Sequence, residues 1–282
     1  MIAIERLVYG YEGSGRILDG IDLAIREGEY VALIGRNGCG KTTLAKHLNG
    51  LIMPAGGRVS IDGMDTRDKE RIAEIRRRVG MIFQNPDNQI VGTTVEEDAA
   101  FGPCNLRLPP GDVRRRVDDA LAGVGLTAHA GRHPHTLSGG EKQLLALAGV
   151  LAMAPKYIIL DEPTSSLDPS SRDRVLSLVR SLNRKGIAII HVTHNVEETT
   201  WADRVVVMDH GRISAEGTPG EVFCRVEWLK GLGLTAPRIT ELMWRLHRIW
   251  VEVSPSALTV EGALKEIEAL LDRLAVRGSA GP

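Results

Sequence analysis

At 282 residues and 30.7 kDa the chain exceeds one ordinary domain and falls short of two full ones, so one large domain with a smaller appendage is expected. A hydrophobic content of 43% with 25% charged residues excludes a disordered chain, because there is enough apolar side chain to build a core. Lys and Arg total 35 against 36 Asp and Glu, and only 4% of residues are aromatic, so the basic excess and stacking platforms of a nucleic-acid binder are both missing and no nucleic acid is expected as a partner.

The chain enters strand-like alternation at Ile2 without the basic and apolar regions of a secretory signal. Its three cysteines, Cys39, Cys104 and Cys224, form neither a disulfide framework nor a zinc pattern, and a cytoplasmic location is expected. Over residues 2–26 apolar residues recur at every second position (Leu7, Tyr9, Tyr11; Ile21, Leu23, Ile25), which predicts a small antiparallel β layer with a turn at Gly13-Ser14-Gly15. Tyr30-Val31-Ala32-Leu33-Ile34 is a continuous apolar run, the mark of a strand buried on both faces, and Leu44, Ala45, Leu48 and Leu51 follow at helical spacing. Further buried strands are expected at 79–83, 157–160, 187–192 and 204–208 with helices between them, hence a mostly parallel sheet in an α/β fold. Residues 94–154 show helical patterns only, at 112–124 and 140–154, and are read as an inserted helical subdomain. The main domain is expected to end near residue 220. A helical appendage follows over 221–282, with an apolar face on Leu264, Ile267, Leu270, Leu271 and Leu274 and a frayed end over 278–282. The longest apolar stretch, 144–154, has 11 residues where a membrane-spanning helix needs about 20, so no crossing is expected.

Gly35-Arg36-Asn37-Gly38-Cys39-Gly40-Lys41-Thr42-Thr43 contains the pattern G-x-x-x-x-G-K-[ST] between a buried strand and a helix, which is the context its chemistry requires. Glycines allow backbone N–H groups to converge on phosphate oxygens, and the helix N-terminus adds positive potential. Lys41 is placed to reach the β and γ phosphates and the Thr42 hydroxyl to ligate Mg²⁺, so ATP and Mg²⁺ are the expected ligand and ion. Tyr157-Ile158-Ile159-Leu160-Asp161-Glu162 ends a second buried strand in two acids. Asp161 is expected to hold Mg²⁺; Glu162 reads either as the general base for the attacking water or as an ordinary strand-end carboxylate.

Leu137-Ser138-Gly139-Gly140-Glu141-Lys142-Gln143 opens a helix at Ser138. Taken alone it is a capped helix or a second anion site built on the N–H groups of Gly139 and Gly140. The run resembles the LSGGQ signature of the ATP-binding cassette (ABC) ATPases, with Glu141 where that family usually has Gln. The resemblance covers about residues 2–221 and implies a phosphate-loop ATPase cassette acting as a head-to-tail dimer, in which Ser138, Gly139 and Gly140 of one subunit close over the ATP held by the other. It further implies that Tyr11 stacks on adenine, that Gln84 approaches Mg²⁺ and the water, that Ser166-Leu167-Asp168 forms the D-loop, and that His194 contacts the γ-phosphate, while His191 is structural. Tyr11 also reads as a strand aromatic filling the β layer, and His194 as a plain strand-end histidine.

Ala45-Lys46-His47-Leu48-Asn49-Gly50-Leu51, and Phe83-Gln84-Asn85-Pro86-Asp87-Asn88-Gln89 with Val95-Glu96-Glu97-Asp98 and Phe101-Gly102-Pro103, resemble the A-type ATPases of energy-coupling-factor (ECF) importers, a group that includes cobalt and nickel importer ATPases. The stretch from Gly231 to Thr240 resembles their C-terminal extension. This implies a peripheral subunit at the cytoplasmic face of the membrane. Its implied partners are a second ATPase subunit, an integral membrane T component and an S component that binds the vitamin or metal ion. A soluble ABC protein acting on nucleic acid is disfavoured by the same comparison, because only 96 residues separate Lys41 from Ser138, too few for the long coiled coil of the repair type. A non-hydrolysing switch is disfavoured by the presence of both Glu162 and His194. His133-Pro134-His135 lacks the third and fourth ligands of a metal site. The Arg76-Arg77-Arg78 and Arg114-Arg115-Arg116 runs read as solvated helix faces, or else as surfaces docking a membrane partner. The apolar face of the appendage must pack either on its own cassette or on a second subunit.

Overall fold

A computed structural model describes residues 1–13 and 15–279, without the side chains of 274–279. Among the described residues, ten strands form two sheets. The smaller is antiparallel, ordered β2 (Leu18–Ile25), β1 (Ile2–Tyr9), β4 (Gly56–Ile61), β5 (Met64–Asp65). The larger is ordered β10 (Arg212–Gly217), β9 (Arg204–Asp209), β3 (Tyr30–Gly35), β8 (Ala188–Val192), β7 (Tyr157–Asp161), β6 (Val79–Ile82), and it is parallel except at β10. Its central strands are buried at every residue, which is why they read as unbroken apolar runs. Side chains alternate between two cores: Val31 and Leu33 of β3 face the small sheet, whereas Tyr30, Ala32 and Ile34 face the helices.

The helices are α1 (Lys41–Leu48), α2 (Ile72–Arg78), α3 (Val95–Asn105), α4 (Pro110–Val124), α5 (Gly139–Ala152), α6 (Pro169–Arg184), α7 (Pro219–Phe223), α8 (Val226–Gly231), α9 (Arg238–His247) and α10 (Val260–Ser279). The expected helical insertion is present as α3, α4 and α5. Helix α3 is started by a capping box between Thr94 and Glu97, and α5 by one between Ser138 and Glu141. Helix α5 is apolar on most of its faces because it is sandwiched: Leu144, Leu145, Ala146, Leu147 and Ala148 are all buried. Burying each leucine here contributes about 1.5–3 kcal/mol. Within the Arg runs, Arg78 pairs with Asp62 and Glu74, Arg114 with Glu96 and Asp118, and Arg115 with Asp112, whereas Arg76 and Arg116 donate to the carbonyls of Gly50 and Ala152.

The structure departs from the sequence expectation in three places. Strands β4, β5 and β10 carry no clear pattern, since they are short or edge strands with exposed positions, and they complete the two sheets. The segment after residue 220 is not one appendage: Val222, Phe223, Val226, Leu229, Leu234 and Ala236 belong to the main core, and a separate apolar cluster of Met243, Val253, Ala263 and Leu270 begins only at α9. The expected apolar face of α10 is divided by the same packing. Ala263, Ile267 and Leu270, spaced i, i+4 and i+7, pack on α9, whereas Leu264 and Leu271 are 51% and 58% exposed. The side chain of Leu274, the residue Ser14 and residues 280–282 lie outside the described residues, and the expected frayed end is helical as far as Ser279.

Gly140 fixes how closely α5 approaches α6, because a Cβ there would stand 2.5 Å from Ser171 Oγ and 2.7 Å from Ser171 Cβ. Gly140→Ala gains about 1 kcal/mol of helix propensity and loses about 1–3 kcal/mol to overpacking, so denaturant titration should show a net loss of stability. Ser171→Gly removes both colliding atoms, and in its background Gly140→Ala should stabilise; additive effects of the two changes would contradict this packing.

Candidate functional site

Strand order β3, β8, β7 brings three C-terminal ends side by side, with Leu33 in register with Val192 and Val192 in register with Asp161. The phosphate loop leaves the first, the loop bearing His194 leaves the second, and the acid pair ends the third, so residues far apart in sequence meet at one edge.

Helix α1 starts at Gly40, whose φ of +108° is open to glycine and which donates no side-chain cap. A Cβ at Gly40 would stand 2.8 Å from Leu18 Cδ2. The first N–H groups of α1 therefore point into a cleft of ≈ 380 Å³ lined by Asn37, Gly38, Gly40, Lys41, Thr42, Thr43, Gln84 and Glu162. Lys41 is 6% exposed and its Nζ donates to the carbonyls of Gly35 (2.8 Å) and Arg36 (3.1 Å), so the cation is held against the loop it would share with an anion. Cys39 points away from the cleft into the core, where burial pushes its thiol pKa up.

The Thr42 hydroxyl donates to Asp161 Oδ1 at 2.9 Å. Burial raises the Asp161 pKa above the usual carboxylate value, and the Thr42 hydrogen bond opposes that shift. Glu162 has a φ of +49°, a region costly to a residue with a side chain, and its N–H is tied to the Val192 carbonyl at 2.9 Å. This turn aims the Glu162 carboxylate between His194 Nδ1 (3.1 Å) and Gln84 Nε2 (3.4 Å). Gln84, Lys41, Thr42, Asp161, Glu162 and His194 thus form one contiguous group.

The remaining expected site residues lie elsewhere. Ser138 Oγ accepts from the Glu141 N–H and Glu141 Oε2 accepts from the Ser138 N–H (2.8 Å), so the cap is spent on Glu141 and not on the N–H groups of Gly139 and Gly140. Glu141 keeps the helix start intact, and hydrogen bonds from Ser138 lower its pKa. Gly139 lines a second concavity of ≈ 370 Å³ with Gln84, Lys142, Ser166 and Leu167. Asp168 caps α6 by accepting from the Ser171 N–H at 3.0 Å. Ile17 lines the cleft, whereas Tyr11 is 41% exposed and stands edge-on to Tyr9, which stands edge-on to His47 of α1. His191 is fully buried and pairs through Nδ1 with the Tyr30 hydroxyl at 2.9 Å, a structural position. His133 bonds the Thr93 carbonyl, and its ring stacks on His135.

Sequence reasoning missed two things here. Glu198 is 5% exposed behind the site, where its run of polar neighbours gave no sign of burial. The α8–α9 connection also reaches the site: a Cβ on Gly233 would stand 3.0 Å from Arg36 Nε, and the Arg238 N–H donates to Glu197 Oε1 at 2.8 Å.

A phosphate-binding loop at the end of a central parallel strand, with an acid pair on a neighbouring strand and a capped Ser-Gly-Gly helix start, defines a phosphate-loop ATPase cassette. The family model described as ABC transporter matches residues 18–165. The cobalt import ATP-binding protein CbiO of Syntrophus aciditrophicus is 53% identical over 95% of this chain and 96% of its own. The energy-coupling factor transporter ATP-binding protein EcfA1 of Clostridium perfringens is 47% identical over 93% and 95%. Among solved structures, cbiO1 of Clostridium perfringens, part of the ABC transporter complex cbiONQ, superposes with a TM-score of 0.74 at 38% identity over 86% of this chain and 98% of that one. The dimeric post-hydrolysis cassette MJ0796 bound to ADP and Pi gives 0.70 at 28% identity over 77% and 98%. The chain belongs to the ABC transporter family of ATP-binding subunits, and its fold and ATPase class follow from that membership.

The raised Asp161 pKa has a consequence for stability. A carboxyl whose folded pKa lies above its unfolded value favours the folded state at low pH, and that contribution is lost as pH rises through the folded pKa. Asp161→Asn should therefore unfold at higher denaturant than the wild type at pH 7 in chelator, with the difference shrinking as pH falls toward the ordinary aspartate range. An equal difference at all pH values would show that ionisation of Asp161 does not set this cost.

Proposed function

We infer that the chain is the ATP-hydrolysing subunit of an ECF-type importer. The observation that carries the mechanism is the division of its two anion-binding helix starts: α1 opens into the phosphate cleft, whereas α5 opens with the D-loop onto another concavity of the same chain. One chain holds two half-sites, and each is completed by the opposite half of a second subunit in head-to-tail pairing, as a dimeric relative at 28% identity supports. Lys41 and the loop N–H groups bind the β and γ phosphates, and Tyr11 stacks on adenine at the rim. Glu162 accepts a proton from the water attacking the γ-phosphate, and His194, 3.1 Å from that carboxylate, orients it. Ser138, Gly139 and Gly140 reach the γ-phosphate in trans, and Asp168 faces the partner's site.

Thr42, Asp161 and Gln84 fit Mg²⁺, because all offer oxygens and the Thr42 and Asp161 oxygens already converge within 2.9 Å. Bound there, the ion neutralises phosphate charge. The transport partners are an integral membrane T component and a solute-binding S component, with a vitamin or transition-metal ion as the solute. Among the described residues no helix is long and apolar enough to cross a membrane, in keeping with a peripheral subunit at the cytoplasmic face. The appendage from α9 onward pairs subunits: Leu242, Ile249, Trp250, Val251, Leu264 and Leu271 are exposed on it. Subunits held there can separate at the ATP sites without dissociating, so each closure is intramolecular.

Glu162→Gln should retain ATP binding, lower turnover by about 10² to 10⁴ and accumulate in the ATP-closed state, whereas Ser138→Arg should bind ATP with ordinary affinity and neither close at the ATP sites nor hydrolyse. Near-normal turnover in the first, or lost ATP binding in the second, refutes the assignment.

Ending the chain at Pro237 keeps the main core. The nucleotide-free dimer, with itself or with a second A-type subunit, should then be lost by light scattering; a dimer that survives truncation rules out pairing through the appendage.

A further inference from the structure

The short 3₁₀ turn after His194, Val196–Thr199, carries an acid that hydrolysis as described does not use. Glu198 has a side chain only 4% exposed, yet it holds an ionised carboxylate among polar partners drawn from three elements. From the loop after β7, Thr164 Oγ1 donates to both its oxygens at 2.7 and 2.9 Å. From the loop after β8, Asn195 Nδ2 donates at 3.1 Å and Thr193 Oγ1 at 3.4 Å. Behind them stand His191 Nε2 at 3.5 Å and Arg172 Nε of α6 at 3.7 Å, two buried nitrogens that have no hydrogen-bond partner of their own. Burial pushes the Glu198 pKa up, but these hydrogen bonds and charges outweigh it and hold the group below the usual carboxylate range.

The placement is specific. Thr193 and Asn195 flank His194 on both sides, and Thr164 lies two residues beyond Glu162. The contact between Glu162 and His194 spans the same two loops from the front, while Glu198 spans them from behind. A buried charge is costly unless it is fully partnered, and a bare packing role would be filled at lower cost by an apolar side chain. What a carboxylate supplies here is several directed acceptor positions at once, which fix the two loops relative to each other.

We propose that Glu198 is a positioning residue for ATP hydrolysis, joining the loop of Glu162 to the loop of His194 so that the base and the histidine meet in register. It touches neither nucleotide nor water, and it acts through His194. The inference rests on Glu162 and His194 acting in hydrolysis.

Glu198→Gln keeps the shape and one acceptor, but it turns an amide toward donors and leaves Arg172 without a counter-charge. Thr164→Val, nearly isosteric, removes only the link to the loop of Glu162. In the full chain, single-turnover hydrolysis at saturating ATP should fall about 10- to 100-fold in both, the scale of a small misplacement of reacting groups, with ATP affinity within about twofold of wild type. Glu198→Asp, which retains the charge, should recover part of the loss. In a His194→Ala background Glu198→Gln should add little, since residues acting as a unit are non-additive. Unchanged hydrolysis in folded variants, affinity falling in parallel with rate, or effects that multiply with His194→Ala would overturn the proposal. If Glu198→Gln does not fold, Thr164→Val decides by the same criteria. Should Glu162→Gln and His194→Ala themselves hydrolyse ATP normally, it is the reading of the site that fails, and not the link through Glu198.

Discussion

The register of three parallel strands governs everything else in this molecule. Because β8 lies between β3 and β7, Gly35, Val192 and Asp161 end at one edge, and the loops that follow must share the space beyond it. Parallel strands force their connections to cross over, and the loops that leave β3 and β7 lead into the N-termini of α1 and α6. Anion binding by α1 and the acid pair of β7 are thus consequences of one strand order. The apolar content of the strands supplies the stability: every residue of β3, β7 and β8 is buried, which leaves the loops free to hold costly conformations.

Those costs are concentrated at the site. Asp161 keeps a carboxylate where burial opposes its charge, Glu162 holds a left-handed backbone, and Lys41 is almost completely enclosed. Each would be improved for stability alone by a smaller or apolar residue. Lys41 and Glu162 line the phosphate cleft and Asp161 bonds Thr42 of its lining, so the strain is gathered where a highly charged ligand would relieve it.

The strength of the local signal decided what could be read from sequence. Strands β3 and β7 are fully buried, so their apolar runs and the motifs that end them were legible, as was the helix cap at Ser138, whose logic is contained within four residues. Strands β4 and β5 were not read, although Asp62-Gly63 is a hairpin signal, because Gly57 and Arg58 face solvent and break the alternation. Strand β10 does alternate in exposure, but at the sheet edge no residue of it is fully buried and only Ile213 and Ala215 supply apolar positions. The joining of α7 and α8 to the main core rests on tertiary contacts of a few residues each, and the reversal of exposure along α10 depends on where α9 lies. Glu198 was hidden because a Glu-Glu-Thr-Thr run looks solvated; only the fold shows that one of its two acids turns inward.

That pair of acids links the catalytic edge to the appendage. Glu198 faces inward and fixes the loops of Glu162 and His194, while its neighbour Glu197 faces outward and accepts the first N–H of α9. On the other side of the same junction Gly233, with a φ of +69° that favours glycine, packs on Arg36 of the phosphate loop, and the Arg36 carbonyl in turn accepts from Lys41. The appendage therefore leaves the cassette beside the phosphate loop and the turn after His194, not from a remote surface. A short 3₁₀ turn with a buried ion cluster on one side is stiff, because Glu198 cannot move without uncoupling partners that are shielded from water. Pairing through α9 and α10 would accordingly fix each subunit at a point next to its own catalytic loops, so that closure of the ATP sites and the angle between paired appendages are mechanically one variable.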